Sequence, residues 1–494
     1  MKRIGLLIFL VVLAADSIWG EVIEILDLNP RTELEKALGE NVGDSVIIAS
    51  DQQNRSYPSI FQAWNGIENG ADEDVISLLA RHDLAFAHPH ALLGITWNIS
   101  QVQPYQGLEI DLNPDQLNIA RKRKQQLLFL NSNLRLLVEL RFRDAPYLSE
   151  TNEKTVEHWW QVGFYPPNSP FWLKDSNGQH VIGWGEDTNV NGKIDQDDKV
   201  LHYLIDFTQE SVQELIAEKA LELKKSGLFD GIMLDWWNED FATTAEIGDW
   251  SRTVLTLEKE LTARIAILRK IRSKVGDDFL IMVNSNKRKI PRSASYVNGV
   301  FMECDKDKYD RGYNLFEIKE MENALLWAEQ NLKQPRINCL EGWRVVTKYN
   351  GNRAIRIAER NSALNQKWMR MITSLSLTHS DGYVLFADDN AMPTPDHLHN
   401  WYDFWDVNLG YPIGMKAKLF QETEGLFIRE FELGWVVYNR SGKTQSINFD
   451  EELTKVGHGE AKKRHQVENL DGALFQKPQV IEETTGPEPQ KINR

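Results

Sequence analysis

Residues 229–240 read FDGIMLDWWNED. A short apolar run ends in a carboxylate, Asp235, followed by two tryptophans. Such a run reads as a buried strand of a parallel sheet. Side chains alternate between the two faces of a strand, so Met233 and Asp235 share a face. Burying an unpaired carboxylate is costly, so Asp235 calls for a function or a partner, and Arg141 is the candidate partner.

Working outward, seven more runs have the same character. They are SIFQAW (59–64), DLAFAH (83–88), RLLVELR (135–141), FLIMVN (279–284), VNGVFME (297–303), RINCLE (336–341) and DGYVLFAD (381–388). Helical spacing of apolar residues appears at 114–130, 208–225, 250–274, 315–332 and 353–378. Strands alternating with helices indicate parallel βα units. Eight of them favour a closed (β/α)8 TIM barrel over 45–410, with an open sheet as the alternative if the first and seventh strands fail. From 413 to 476 short alternating segments punctuated by glycine suggest a small β-sandwich domain. Residues 477–494 are polar and Pro-containing and are expected to be disordered.

The chain has 494 residues, with 56 Lys and Arg against 72 Asp and Glu, a net charge of −16. That balance disfavours a nucleic-acid partner and an anionic membrane surface. At the start, MKRIGLLIFLVVLAADSIWG (1–20) has two basic residues, then twelve apolar ones, then small residues. It reads as a cleaved signal peptide, which implies a secreted or periplasmic protein with no stable membrane insertion after cleavage. The two cysteines, Cys304 and Cys339, do not make a disulfide framework, and alternation points one outward and the other inward.

Side chains at the C-terminal ends of barrel strands face the mouth, where active sites sit. The eight strands end in Trp64, His88, Glu139 with Arg141, Asp235 with Trp236 and Trp237, Asn284, Glu303, Glu341 with Trp343, and Asp388. This set is acidic, polar and aromatic together. Glycosidic bond cleavage uses two carboxyl groups, one protonating the leaving oxygen and one attacking carbon or activating water. Aromatic faces and amides hold the sugar. Asp235 is the expected nucleophile or base. Glu303 is the expected acid, with Glu341 and Asp388 as rivals. Trp64, His88, Arg141, Trp236, Trp237, Asn284, Glu341, Trp343 and Asp388 are the expected substrate contacts. His88 and His90 form a His-x-His pair, but a catalytic metal centre would need further His on later strands, where Asn284 and Glu303 stand. No organic cofactor is expected.

A second motif, DTNVNGKIDQDD (187–198), lies in the long insertion at 144–207, an aromatic-rich segment expected to form a lid or wall beside the mouth. Oxygen side chains fall at loop positions 1, 3, 5, 9 and 12, on Asp187, Asn189, Asn191, Asp195 and Asp198. Gly192 stands at position 6, and Lys193 offers its carbonyl at position 7. This is the spacing of an EF-hand-like Ca²⁺ loop, with Asp in place of the usual final Glu.

The segments RHDLAFAHPH, FDGIMLDWWNED, IMVNSN, NGVFMECD and SDGYVLFADD resemble a secreted group of hypothetical glycosyl hydrolases, family fifteen, within the wider α-amylase and α-galactosidase-like barrel superfamily. The resemblance implies a TIM-barrel glycosidase of a poly- or oligosaccharide. It maps a fourth-strand nucleophile onto Asp235 and a sixth-strand acid, as in the α-galactosidase-like branch, onto Glu303. The amylase branch carries its acid on the fifth strand, where this chain has Asn284. A barrel that binds carbohydrate without cleaving it is the competing reading, and a deacetylase using the His88 region is a third.

If the 187–198 motif holds calcium, added Ca²⁺ raises the melting temperature of the protein, and Asp187→Ala removes the increment. Differential scanning calorimetry with Ca²⁺ and with chelator measures both.

Overall fold

The computed structural model describes residues 55–70, 73–99, 108–146, 169–186, 199–244, 253–304, 312–344, 352–387 and 397–478. The signal-like segment at 1–20, the 187–198 motif, Asp388 and the tail beyond residue 478 lie outside the described residues.

Eight parallel strands form one sheet in chain order: β1 (Phe61–Ala63), β2 (Leu84–Ala87), β3 (Arg135–Glu139), β4 (Gly231–Leu234), β5 (Leu280–Asn284), β6 (Gly299–Glu303), β7 (Cys339–Trp343) and β8 (Tyr383–Ala387). A parallel bridge from Ile60 to Val384, with Val384 N–H donating to the Ser59 carbonyl at 2.9 Å, closes the sheet on itself. The expected (β/α)8 barrel is therefore the observed fold. Its interior is filled by side chains: Phe61, Phe86 and Phe301 are fully buried, with ring centroids 5.0 to 6.0 Å apart.

The strand starts are set by polar residues that satisfy the neighbouring strand. Asp230 accepts the Leu136 N–H at 2.8 Å, and Asn298 accepts the Ile281 N–H at 3.0 Å. Glycine follows each of them for a steric reason. A Cβ on Gly231 would stand 2.4 Å from the Leu280 carbonyl oxygen, and one on Gly299 2.5 Å from that of Ile337.

Helices α1 (Val75–Ala80), α2 (Leu117–Leu130), α3 (Glu210–Ser226), α4 (Leu257–Val275), α5 (Leu315–Asn331), α6 (Arg353–Arg360) and α7 (Ala363–His379) lie between the strands, with none in the connection from β5 to β6 and two, α6 and α7, between β7 and β8. Their ends follow local chemistry. Thr256 caps α4, which has Glu258 and Glu260 in its first turn and Arg272 and Lys274 in its last, each complementing the helix dipole. The stretch expected as one helix at 353–378 is two, because Asn361 and Ser362 favour helix ends and Ser362 caps α7 through the Asn365 N–H. Cys304 and Cys339 are both buried and both free. Cys339 is the register partner of inward-facing Phe301 and Cys304 follows inward-facing Glu303, so the two lie on opposite faces as alternation expects, and both are buried because helices cover the outer face of a parallel barrel.

The C-terminal segment is one antiparallel sheet rather than the expected sandwich. Its strands β9 (Leu426–Phe431), β10 (Gly434–Asn439), β11 (Gln445–Lys455), β12 (Ala461–Val467) and β13 (Asp471–Gln476) lie in the order β9-β10-β13-β11-β12. A short 3₁₀ turn, Phe420–Glu422, precedes β9. A register shift between Asn448 and Leu453 bends the long β11–β12 hairpin. Ile447, Leu453 and Val467 thereby join Ile428, Val437 and Phe475 in one apolar cluster, so the sheet covers its own outer face. The other face packs on α7 and α5. There Arg370 forks onto Asp471 at 2.8 and 3.0 Å, and Glu322 accepts from Tyr438 and Arg440 at 2.6 to 2.9 Å.

Glu322→Ala leaves the buried Arg440 guanidinium short of its main partner. It should cost about 3 kcal/mol, the range for breaking a buried ion pair, read from urea denaturation followed by tryptophan fluorescence.

Candidate active site

The ends of strands β1 to β7 and the segment after β8 converge on one cluster at the barrel mouth. Asp235 follows β4 directly, in phase with inward-facing Met233. Glu303 closes β6, and Glu341 stands directly opposite it on β7. Between Asp235 and Glu303 lies Asn284, the last residue of β5. Its side-chain amide donates one hydrogen bond to Asp235 Oδ1 at 2.8 Å and another to Glu303 Oε2 at 2.7 Å. Two bonds of that length to a single nitrogen hold the two carboxyl oxygens no more than about 5.5 Å apart, the separation typical of retaining rather than inverting carboxylate pairs.

Around this pair the wall is aromatic and charged. Trp64 donates its Nε1–H to the fully buried Glu139 at 2.8 Å. His88 Nδ1 lies 3.4 Å from the same carboxylate. Arg141 pairs with Asp144 at 2.8 Å and with Glu139 at 3.4 Å, so its strongest contacts are to these two acids rather than to Asp235. Asp144 and its partner His202, 2.9 Å away, belong to a small antiparallel sheet built from Asp144–Pro146, Ile182–Glu186 and Lys199–Leu204. The described part of the insertion therefore borders the mouth. Ser285 Oγ, Asn286 Oδ1 and Trp343 Nε1 are buried polar atoms at the same strand ends that find no hydrogen-bond partner among the described residues.

The environment separates the two carboxyls. Burial, the Asp235 charge and the Glu341 charge push Glu303 up to about 8, against the opposing pull of His397. Burial and the Glu139 carboxylate raise Asp235 to about 6, outweighing Arg141 and the Asn284 amide. Arg141 is the candidate partner that the sequence offers for Asp235. In the structure Arg141 is occupied by two other acids, and Asp235 is held above the usual carboxylate range. Near neutral pH Asp235 is mainly ionised and Glu303 mainly protonated, the division that acid–base work requires.

Not every expected contact faces the cleft. Trp237 is 1% exposed, donates to Ser293 Oγ at 2.9 Å and packs on Phe142, so it belongs to the core. Trp97 is buried beneath Lys219. Trp236 is half-buried, with the Arg143 guanidinium over its ring at 4.4 Å. Trp343 is nearly buried and stacks on His397, with ring centroids 5.3 Å apart. Glu341 is fully buried and accepts from His397 Nδ1 at 2.9 and 3.0 Å, so it reaches the cleft only through that ring. His397 is the residue that sequence reasoning missed. It lies outside any strand, and nothing in its local pattern marks it.

Backbone strain gathers at the same place. Trp64, Trp236, Asn286 and His397 all have φ between 44° and 62° without being glycine. Such residues persist where the surroundings over-determine them, commonly at functional sites. Among the described residues no group of three or more His, Cys, Asp or Glu is arranged to hold a metal ion, and no helix is long and apolar enough to cross a membrane.

No protein-family profile and no curated protein matches the chain. Solved structures similar to it include an α-amylase from Malbranchea cinnamomea, at 11% identity and a TM-score of 0.46, covering 85% of this chain and 96% of that one. An α-amylase from Geobacillus thermoleovorans is 12% identical, with a TM-score of 0.43 and coverage of 87% and 99%. The glycoside hydrolase domain of PelA from Pseudomonas aeruginosa is 11% identical, with a TM-score of 0.36 and coverage of 68% and 97%. What the site of this chain can do follows from its own geometry.

Asp235→Asn removes the negative charge that disfavours ionisation of Glu303, so Glu303 should titrate at lower pH in that variant. Asn284→Ala removes the donor that favours both carboxylates and should move both titrations up. Carboxyl carbon NMR across pH 4–10 reads these shifts.

Proposed function

We propose that the protein is a glycoside hydrolase acting on a poly- or oligosaccharide with retention of anomeric configuration. The observation that carries this reading is the Asn284 amide donating to both Asp235 and Glu303, which keeps two carboxyls of different acidity about 5 Å apart at a barrel mouth. In this reading the Asp235 carboxylate attacks the anomeric carbon. Glu303 gives its proton to the leaving oxygen as the glycosidic bond breaks. The same Glu303, now a carboxylate, takes a proton from water as that water displaces Asp235, and both groups return to their starting states. Asn284 holds the carboxyls in register. Trp64, Trp236, His88 and Arg141 line the approach, and the unpaired polar atoms of Ser285 and Asn286 suit a ligand rich in hydroxyl groups.

On sequence grounds alone, the reading extends to export through the 1–20 segment and to a structural Ca²⁺ at 187–198. Asp388 keeps a place in the site on the same grounds.

A panel of polysaccharides and aryl glycosides of both anomers tests the activity, with proton NMR following the first-formed product. Retention is expected, and inversion or binding without turnover overturns the reading. Activity needs ionised Asp235 and protonated Glu303. Therefore kcat/KM should rise as pH increases through about 6 and fall as it passes about 8. Asp235→Asn should abolish turnover, and Glu303→Gln should lower it about 10²- to 10⁴-fold on alcohol leaving groups.

A further inference from the structure

Glu303 and Glu341 are register partners on adjacent parallel strands, with both side chains on the inner face. Two glutamates so placed repel each other unless a proton or a cation stands between them. The ring of His397 stands there. Its Nδ1 is 2.9 Å from Glu341 Oε1 and 3.0 Å from Oε2, and its Nε2 faces Glu303 Oε1 at 3.9 Å. The ring is 2% exposed and held between two indoles, with Trp64 at 4.8 Å and Trp343 at 5.3 Å. Trp64 is itself fixed by Glu139, and the His399 ring donates back to the His397 carbonyl at 3.0 Å. His397 holds a φ of 62° in this position.

We infer that His397, oriented by Glu341, is the positioning residue for the acid Glu303: it stands as an imidazolium between the two carboxyls and stabilises the Glu303 carboxylate left once the proton has been given to the leaving group. The inference rests on the glycosidase reading above and adds to it a group that never touches the sugar. A carboxylate bound to one ring nitrogen fixes the ring and raises the basicity of the other, as around metal-bound histidines. The charged and titratable groups facing the acid are Asp235 on the β4 side and Glu341 on β7, both of which disfavour its ionisation. His397 opposes them, together with the neutral Asn284 amide on β5. Among the described residues, those facing His397 are Glu341, Glu303 and His399, the last through its backbone contact. Without the imidazolium, Glu303 would be a weaker acid, and its carboxylate would be left beside two other acids.

His397→Asn is the variant of choice, because Asn tolerates positive φ better than most residues; His397→Gln serves as a second variant. Two measurements test the inference. First, the carboxyl carbon resonance of Glu303 should titrate at least about half a unit higher in His397→Asn than in the parent. An unchanged or lowered midpoint overturns the inference, and no substrate is needed to see it. Second, methyl glycosides need a strong acid to leave, whereas 2,4-dinitrophenyl glycosides do not. The variant should lose about tenfold or more in kcat/KM on the methyl glycosides and less than about threefold on the dinitrophenyl ones. In a Glu303→Gln background the same substitution should cost nothing further. Equal losses on both leaving groups, or additive losses in the double variant, overturn the inference and leave the glycosidase reading standing. If Glu303→Gln alone leaves the methyl glycosides unaffected, it is the assignment of the acid that fails.

Discussion

A single amide nitrogen, Nδ2 of Asn284, donates to two carboxyl groups that the chain separates by 68 positions, and the organisation of the mouth turns on that contact. Both donor hydrogens of the group are used, one for each acid. An amide suits this place because it gives two hydrogen bonds without adding charge. A lysine there would favour ionisation of both acids, and a carboxylate would add a further repulsion to a cluster that already holds Glu139, Asp235, Glu303 and Glu341.

Holding several acids in one opening has an electrostatic cost, and the surroundings divide it unevenly. Arg141 answers Glu139 and Asp144, while His397 answers Glu341 and faces Glu303. Asp235 and Glu303 are the acids left without a close ion pair of ordinary length, and both are raised above the usual carboxylate range. The strained backbone at Trp64, Trp236, Asn286 and His397 belongs to the same economy of space. Trp64, Trp236 and Asn286 turn the chain just past a strand, and His397 does so in the segment beyond β8; the closely packed phenylalanine layer beneath supplies the rigidity that keeps them there.

Local pattern made a good part of this legible. Eight short apolar runs, each ending in a polar residue, indicate the strands because a fully buried parallel strand has little other way to look. Alternation then places Asp235 and Glu303 toward the mouth. The same alternation sets Cys304 and Cys339 on opposite faces, and both are buried because in a barrel the outward face is covered too. Local pattern misleads for the C-terminal segment, where a bent hairpin lets one sheet do what two were expected to do. Trp237 follows a strand end as Trp236 does, yet it turns into the core because Ser293 and Phe142 provide for its N–H and its ring.

By itself the sequence determined the strand set and its order and set Asp235 and Glu303 on the inner face at strand ends, because each depends on hydrophobic runs and on a period of two residues. Tertiary structure alone decided what those acids touch. The Asn284 bridge joins positions 49 and 19 residues apart, the Trp64 bond to Glu139 spans 75, and His397 meets Glu341 across 56. No local periodicity encodes contacts of that range. They arise when the barrel closes and its strand ends are forced to share one small volume, which is also why the electrostatic inequality between Asp235 and Glu303 exists only in the folded chain.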